Sequence, residues 1–404
     1  MNGTLLQVIA NATNCEAINT QRYCFESISV PRIEYDEIIG KPLSGSLRYA
    51  ETIRNFEGDY INLKNRADEW ARKGMGSCPI RYFMDGTRKT YKIGDVRVGG
   101  RIYPVLAGQI VVGWTERENG NIVGHDYIHS IVICLPDSIH DFIEDKRIRA
   151  WVVDKRDQLN CELQNELKKY KMGGISISDV LLYKTCQDVD RNRKMEDHAI
   201  SKIHSYMLDK EKETVNRLVD AGRLSDKNYL IKDGSLEYQH SSNRSSDSFA
   251  PSMFHKTNYG YVVGASKSFN PESIINKAGR TDHNIVAKLP SYSRTRVYRY
   301  SDSRFDDDVE FGVWYVRIRK KIPGSSSPFD GVLKLERILT TDDEMKNGFD
   351  SEEIDNLTAH IINERNPVCY ASDSRWANHI YPMYLTERYL KNKLINSNTF
   401  AHIF

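Results

Sequence analysis

Two stretches decide the reading of this chain: Ile80-Arg81-Tyr82-Phe83-Met84-Asp85-Gly86-Thr87 and its echo Tyr229-Leu230-Ile231-Lys232-Asp233-Gly234-Ser235-Leu236. In each, a short apolar run, Ile80 to Met84 or Tyr229 to Lys232, suits a buried strand and stops at Asp-Gly, which is turn chemistry. One Asp-Gly is ordinarily a turn and nothing more. Two of them at the ends of buried strands would deliver a pair of carboxylates to one edge of a sheet.

Working outward, Ile102 to Trp114 and Ile122 to Leu135 read as extended runs joined by the hairpin signal Glu118-Asn119-Gly120-Asn121. With the first strand they predict a three-strand antiparallel meander. Beyond Pro136 the chain is polar and helical to about Lys171, and helical periodicity resumes from about Glu196 to Ala221, so about 137–222 reads as a helical insertion or crossover. A strand at Gly260 to Ala265 follows the serine-rich stretch Gln239 to Ser248, which suits a solvent loop or a lid beside the Asp233 turn. Val313 to Arg319 and Gly331 to Ile338 form a strand pair around Pro323 to Pro328, and a helix from about Tyr384 to Leu394 closes the fold. Residues 1 to about 75 read as a mixed, mostly helical N-terminal extension, and 76–404 as the main domain. A strand bearing Asp, a hairpin, a long helical connection and a second strand bearing Asp is the order of an α/β, RNase H-like mixed β-sheet flanked by helices.

The 404 residues are 28% charged and 40% hydrophobic, which excludes a fibrous or broadly disordered chain. Net charge is only +2, so any nucleic-acid contact must come from local basic patches. The seven cysteines (Cys15, Cys24, Cys78, Cys134, Cys161, Cys186 and Cys369) are scattered without a C-x-x-C pair. That pattern indicates neither a disulfide framework nor a zinc ribbon, and a reducing, cytoplasmic setting fits it. Met1 to Ala10 lacks a basic flank and no apolar run approaches a membrane span, so no membrane association is expected.

Clustered carboxylates hold Mg²⁺ or Mn²⁺, which prefer oxygen ligands and serve phosphodiester hydrolysis. A third acid should come from the helix before the second strand. Leu208, Val215, Leu218 and Val219 mark its apolar stripe; Glu211 lies within the stripe, whereas Glu213 points away. Lys267, at the end of an apolar strand, reads as a phosphate contact or an ordinary solvated lysine, and so do Arg88 and Lys89. The run Arg317-Ile318-Arg319-Lys320-Lys321 reads as a DNA-facing edge or as protection against edge pairing.

These residues resemble the NurA nuclease family, whose members work with the HerA hexameric DNA translocase. The resemblance runs from about Ile80 to Leu394, through five segments in order. They are Phe83 to Arg88, Ile231 to Leu236, Val262-Val263-Gly264-Ala265-Ser266-Lys267, the pair Trp314 to Ile318 with Leu333 to Arg337, and the closing Tyr381-Pro382. It implies an RNase H-like fold, Mn²⁺-dependent cleavage of DNA, a homodimer, docking on a HerA-type ATPase, and a role in DNA end processing or antiviral defence. Carried over by position, Asp85, Glu211 and Asp233 are the metal-binding acids. Family members often carry a histidine on the last helix, which here reads Tyr384-Leu385-Thr386-Glu387-Arg388. Glu387 is the candidate replacement oxygen ligand, against the plainer reading of an exposed helix carboxylate, and His379 could approach from the other side. Tyr381 is either a substrate-positioning or a packing residue. The altered helix also raises the alternative of a catalytically silent DNA-binding or translocase-docking subunit.

Overall fold

The computed structural model describes residues 4–25, 41–42, 49–52, 59–74, 78–140, 145–169, 175–185, 194–236, 257–269, 284–301, 309–321, 327–368 and 374–403. In chain order the elements are α1 (Thr4–Ala12), β1 (Glu16–Ile18), β2 (Tyr23–Cys24), β3 (Lys41–Pro42), β4 (Tyr60–Asn62) and α2 (Lys64–Lys73), then β5 (Ile80–Val98), β6 (Arg101–Glu118), β7 (Asn121–Pro136) and α3 (Asp145–Lys169). There follow β8 (Asp179–Tyr183), α4 (Met195–Asp220), β9 (Tyr229–Asp233), β10 (Val262–Ser266), α5 (Asn284–Ala287), β11 (Ser293–Thr295) and β12 (Tyr298–Ser301). The chain continues through β13 (Glu310–Arg317), β14 (Val332–Ile338), α6 (Asp342–Asn347), α7 (Ser351–Asn363), α8 (Tyr381–Lys391) and α9 (Ser397–Ile403).

One large mixed sheet organises the chain, in the order β3-β12-β13-β14-β10-β9-β5-β6-β7-β8. The expected α/β class with a mixed sheet flanked by helices is what the chain forms. β9 is parallel to both of its neighbours, β5 and β10, and β5–β6–β7 is the expected antiparallel meander. Its second hairpin turns at Asn119 and Gly120, both at positive φ, 49° and 81°, the conformation that favours Asn-Gly.

Three local expectations change. The first strand does not stop at Asp85. β5 runs for 19 residues, and Asp85, Gly86 and Thr87 pair with Gly113, Val112 and Val111 inside it. The long partner strand β6 supplies backbone hydrogen bonds well past the point where the apolar pattern of β5 ends, so pairing overrides the turn chemistry. The segment between Pro136 and α4 contains a strand as well as helix, since β8 pairs in parallel with β7. Residues before 75 are less helical than expected: β1 and β2 pair with β5, β3 with β12 and β4 with β11, so this segment is woven into the sheet. The Gln239 to Ser248 stretch lies outside the described residues, as does most of the Pro323 to Pro328 connection.

Helices cover both faces of the sheet, and glycines let them come close. On one face a Cβ at Gly86 would lie 3.2 Å from Met207 Sδ of α4, and a Cβ at Gly108 would lie 2.7 Å from Ile203. On the other face a Cβ at Gly113 would lie 2.9 Å from Leu390 of α8. The helix expected to close the fold begins at Tyr381-Pro382, slightly earlier than expected, because proline suits the first turn of a helix, and α9 follows it. Among the described residues no helix is long and apolar enough to cross a membrane.

Candidate active site

The parallel register of β5 and β9 sets Phe83 beside Ile231 and Met84 beside Lys232. One residue further on, Asp85 and Asp233 come side by side, and strand alternation turns both toward the same face. That face is the one under α8. Thr115, the cross-strand partner of Phe83, shares a 2.6 Å hydrogen bond with Thr386 of α8, and Leu390 packs over Gly113, the partner of Asp85. The paired aspartates of the sequence are thus neighbours, although only Asp233 ends its strand.

Lys267 rises on the same face, two residues beyond Ala265, which pairs with Asp233. Its ammonium donates to Asp233 Oδ2 at 2.7 Å and lies 3.4 Å from His379 Nε2. Glu387 on α8 faces the group closely enough to act on both Asp85 and Lys267, and it also accepts from Lys391 at 2.6 Å.

Burial and crowding divide the two aspartates. Burial pushes the Asp85 carboxyl well above the usual carboxylate range, and the charges of Asp233, Glu387 and Glu211 push the same way against Lys267. Burial would raise Asp233 too, but the Lys267 ammonium and its hydrogen bond, with His379 and Lys232, outweigh it and hold Asp233 below the ordinary value. Lys267 is partly buried, which by itself favours the neutral amine; Asp233, Asp85 and Glu387 reverse that and raise it.

Glu211 lies on the other face, against Gly86, where a Cβ would stand 2.7 Å from its Oε1. It is buried and 3.0 Å from the ammonium of Lys232. Glu213, one strip round the helix, is engaged with Lys210 at 2.8 Å and Arg217 at 2.6 Å away from the sheet. Helix phase thus separated the two glutamates correctly as to which one faces the strands. Lys232 was not singled out by sequence reasoning. The available signal was a lysine inside an apolar strand, a position that demands a partner.

Arg88 and Lys89 do not follow a turn; they continue β5 and point to opposite faces. Arg88 donates to Thr90 at 3.2 Å on the α4 side, and Lys89 donates to Ser397 at 3.0 Å on the side of Asp85. Tyr381 is 43% exposed, with its ring centroid 6.2 Å from that of Tyr384. Arg317 and Arg319 are neither an edge nor a DNA face. Both are buried: Arg317, at the end of β13, donates to the carbonyls of Leu289, Pro328 and Asp330, and Arg319, just beyond that strand, donates to those of Asn366 and Ala377.

A second acidic group lies at the turn end of the β6–β7 hairpin. Among the described residues Glu116, Glu118 and His125 are the set that brings three metal-ligating atoms within 4.8 Å of one another, a spacing that could hold an ion. Asp85, Glu211 and Asp233 do not close to that distance.

No family model matches the chain and no curated protein matches it. Among solved structures, the crystal structure of the NurA nuclease from Sulfolobus solfataricus is similar over 81% of this chain and 88% of that one, at 9% identity and a TM-score of 0.37. The functional reading therefore rests on the chain's own residues and geometry.

Proposed function

We propose that this protein is a metal-dependent DNA nuclease of the NurA type, hydrolysing phosphodiester bonds and acting as a homodimer with a HerA-type hexameric translocase in DNA end processing or antiviral defence. The observation that carries the reading is the pairing of Asp85 and Asp233 on adjacent parallel strands, with surplus negative charge buried against one ammonium. Buried carboxylates that repel one another are costly unless a cation joins them. Asp85, Asp233, Glu387 and Glu211 are all oxygen donors, the set that Mn²⁺ or Mg²⁺ prefers. Asp85 and Asp233 would hold the ion, with Glu387 on the same face; Glu211, the third acid of the family pattern, stands against Gly86 on the other face.

When bound, a divalent ion supplies Lewis-acid activation of the phosphodiester and of the attacking water. The chain's own part is positioning. Asp233 holds the Lys267 ammonium in place, and Lys267 is set to meet a phosphate oxygen as a point charge once the acids take a cation. Lys89, on the same face, would follow the DNA backbone, with Arg88 and Tyr381 as further contacts.

The test is incubation of the purified protein with linear duplex and single-stranded DNA in Mn²⁺, Mg²⁺ or EDTA. Metal-dependent cleavage that EDTA abolishes is expected; no cleavage in any condition, even with the translocase and ATP, would sink the enzyme reading. The second reading, a silent DNA-binding or docking subunit, draws support from the 2.7 Å Lys267–Asp233 contact, in which an ammonium already occupies one of the acids. It expects salt-sensitive DNA binding without cleavage.

A further inference from the structure

Opposite the acids, on the α4 face, the sheet carries a second set of charges that the proposed chemistry does not use. Lys232 is 3% exposed, and its ammonium donates to the carbonyls of Asp233 and Ser235 at 3.0 Å each while standing 3.0 Å from Glu211. Two carbonyls thus accept from the ammonium, and Glu211 adds an ion pair. Two strands away Glu336, fully buried, accepts from the backbone N–H of Leu236 and lies 3.0 Å from the Lys334 ammonium. Between them is Gly264, where a Cβ would meet Glu336 Cγ at 2.9 Å and the Gly234 carbonyl at 3.0 Å. Gly234 itself sits at φ 82°, in the left-handed region, and donates to the Ala265 carbonyl at 3.0 Å.

We propose that Lys232 and Glu336 are positioning residues that clamp the Asp233-Gly234-Ser235-Leu236 turn from behind, so fixing the Asp233 carboxylate on the opposite face. The inference rests on the nuclease reading only for its kinetic consequence. Buried ion pairs are weak stabilisers compared with apolar side chains of the same volume, whereas their directional contacts specify geometry. Here the contacts go to backbone atoms of one turn: Asp233 O, Ser235 O and Leu236 N. Lys232 also ties Glu211 of α4 to that turn, so two acids from opposite faces share one anchor.

Hydrogen exchange followed by mass spectrometry on the full chain tests the clamp without requiring catalysis. The double variant Lys334→Met/Glu336→Met removes both charges at similar volume. It is expected to fold, yet to exchange the amides of residues 233–236 at least tenfold faster while β5 and β13 are unchanged. Its metal-dependent kcat should fall at least tenfold with KM for DNA within threefold. Unchanged exchange in the turn, or equal acceleration across the whole sheet, overturns the proposal. Should the double variant fail to fold, Glu336→Gln decides: its amide oxygen still accepts from Leu236, so turn protection should stay within threefold of wild type, and a tenfold loss there overturns the clamp. A wild type that cleaves nothing fails the nuclease reading, while the exchange pattern still judges the clamp.

Discussion

The chain holds two acidic groups that differ in an instructive way. At the hairpin end, Glu116, Glu118 and His125 converge, but Glu116 is already neutralised by Arg81 at 2.6 Å and Arg223 at 3.1 Å, and His125 stacks on Trp114 at 4.8 Å. At the sheet centre, Asp85 and Asp233 stand apart from Glu211, yet their negative charge exceeds what Lys267 offsets on that face. Convergence of ligand atoms and demand for a cation are therefore separate properties. A divalent ion is attracted by uncompensated charge more than by a ready-made spacing, because spacing adjusts by side-chain rotation and buried charge does not.

The largest effect that would test this contrast is loss of activity. Asp85→Ala and Asp233→Ala are each expected to lower metal-dependent cleavage by at least about a hundredfold, since loss of an outer partner of a metal site alone costs up to about that much. Circular dichroism should show both variants folded. Full activity in either would move the site away from the paired strands. Next comes Gly86→Ala, whose Cβ would press on Glu211 Oε1 at 2.7 Å and Met207 Sδ at 3.2 Å. Overpacking of this kind costs roughly 1–3 kcal/mol, readable by urea unfolding, and should displace Glu211. An unchanged urea midpoint would mean that the flexible ends of Glu211 and Met207 give way without cost.

Much of this was legible in the sequence, for physical reasons that differ by element. The Asn119-Gly120 turn was readable because only a few residues accept its positive φ. Glu211 was separable from Glu213 because a 3.6-residue period places only one of them over the strands. The continuation of β5 past Asp85 was not readable, since it is imposed by the facing strand β6 rather than by local composition. Arg317 and Arg319 misled because arginine usually signals a surface, while here backbone carbonyls of neighbouring segments accept from both buried guanidinium groups. The sharing of one face by Asp85 and Asp233, and of the other by Glu211 and Lys232, depends on register, which local pattern leaves open until the partner strands are known.

A smaller effect concerns stability and pH. Because folding raises the Asp85 pKa, this carboxyl's contribution is fully present below its unfolded value and is lost as pH rises through the folded value. Asp85→Asn removes that loss. In EDTA the variant should melt higher than wild type at neutral pH, with a gap that closes as the solution is acidified. Added Mn²⁺ should raise the melting temperature of wild type and leave the variant unmoved. A variant that melts lower at neutral pH would show that the aspartates do not repel one another as described.

The smallest effect is expected at the hairpin end. His125→Ala removes one of the three converging ligands and a ring stacked within 9° of parallel on Trp114. The lost stacking should cost roughly 0.5–1.5 kcal/mol, while cleavage and its Mn²⁺ dependence stay within about twofold of wild type. Glu116 remains held by Arg81 and Arg223 in the variant, so the local charge balance survives. If cleavage instead fell tenfold and recovered at higher Mn²⁺, the ion would belong to the hairpin. Convergence would then outrank charge surplus, and the paired aspartates would have to be explained by the Lys267 ion pair alone.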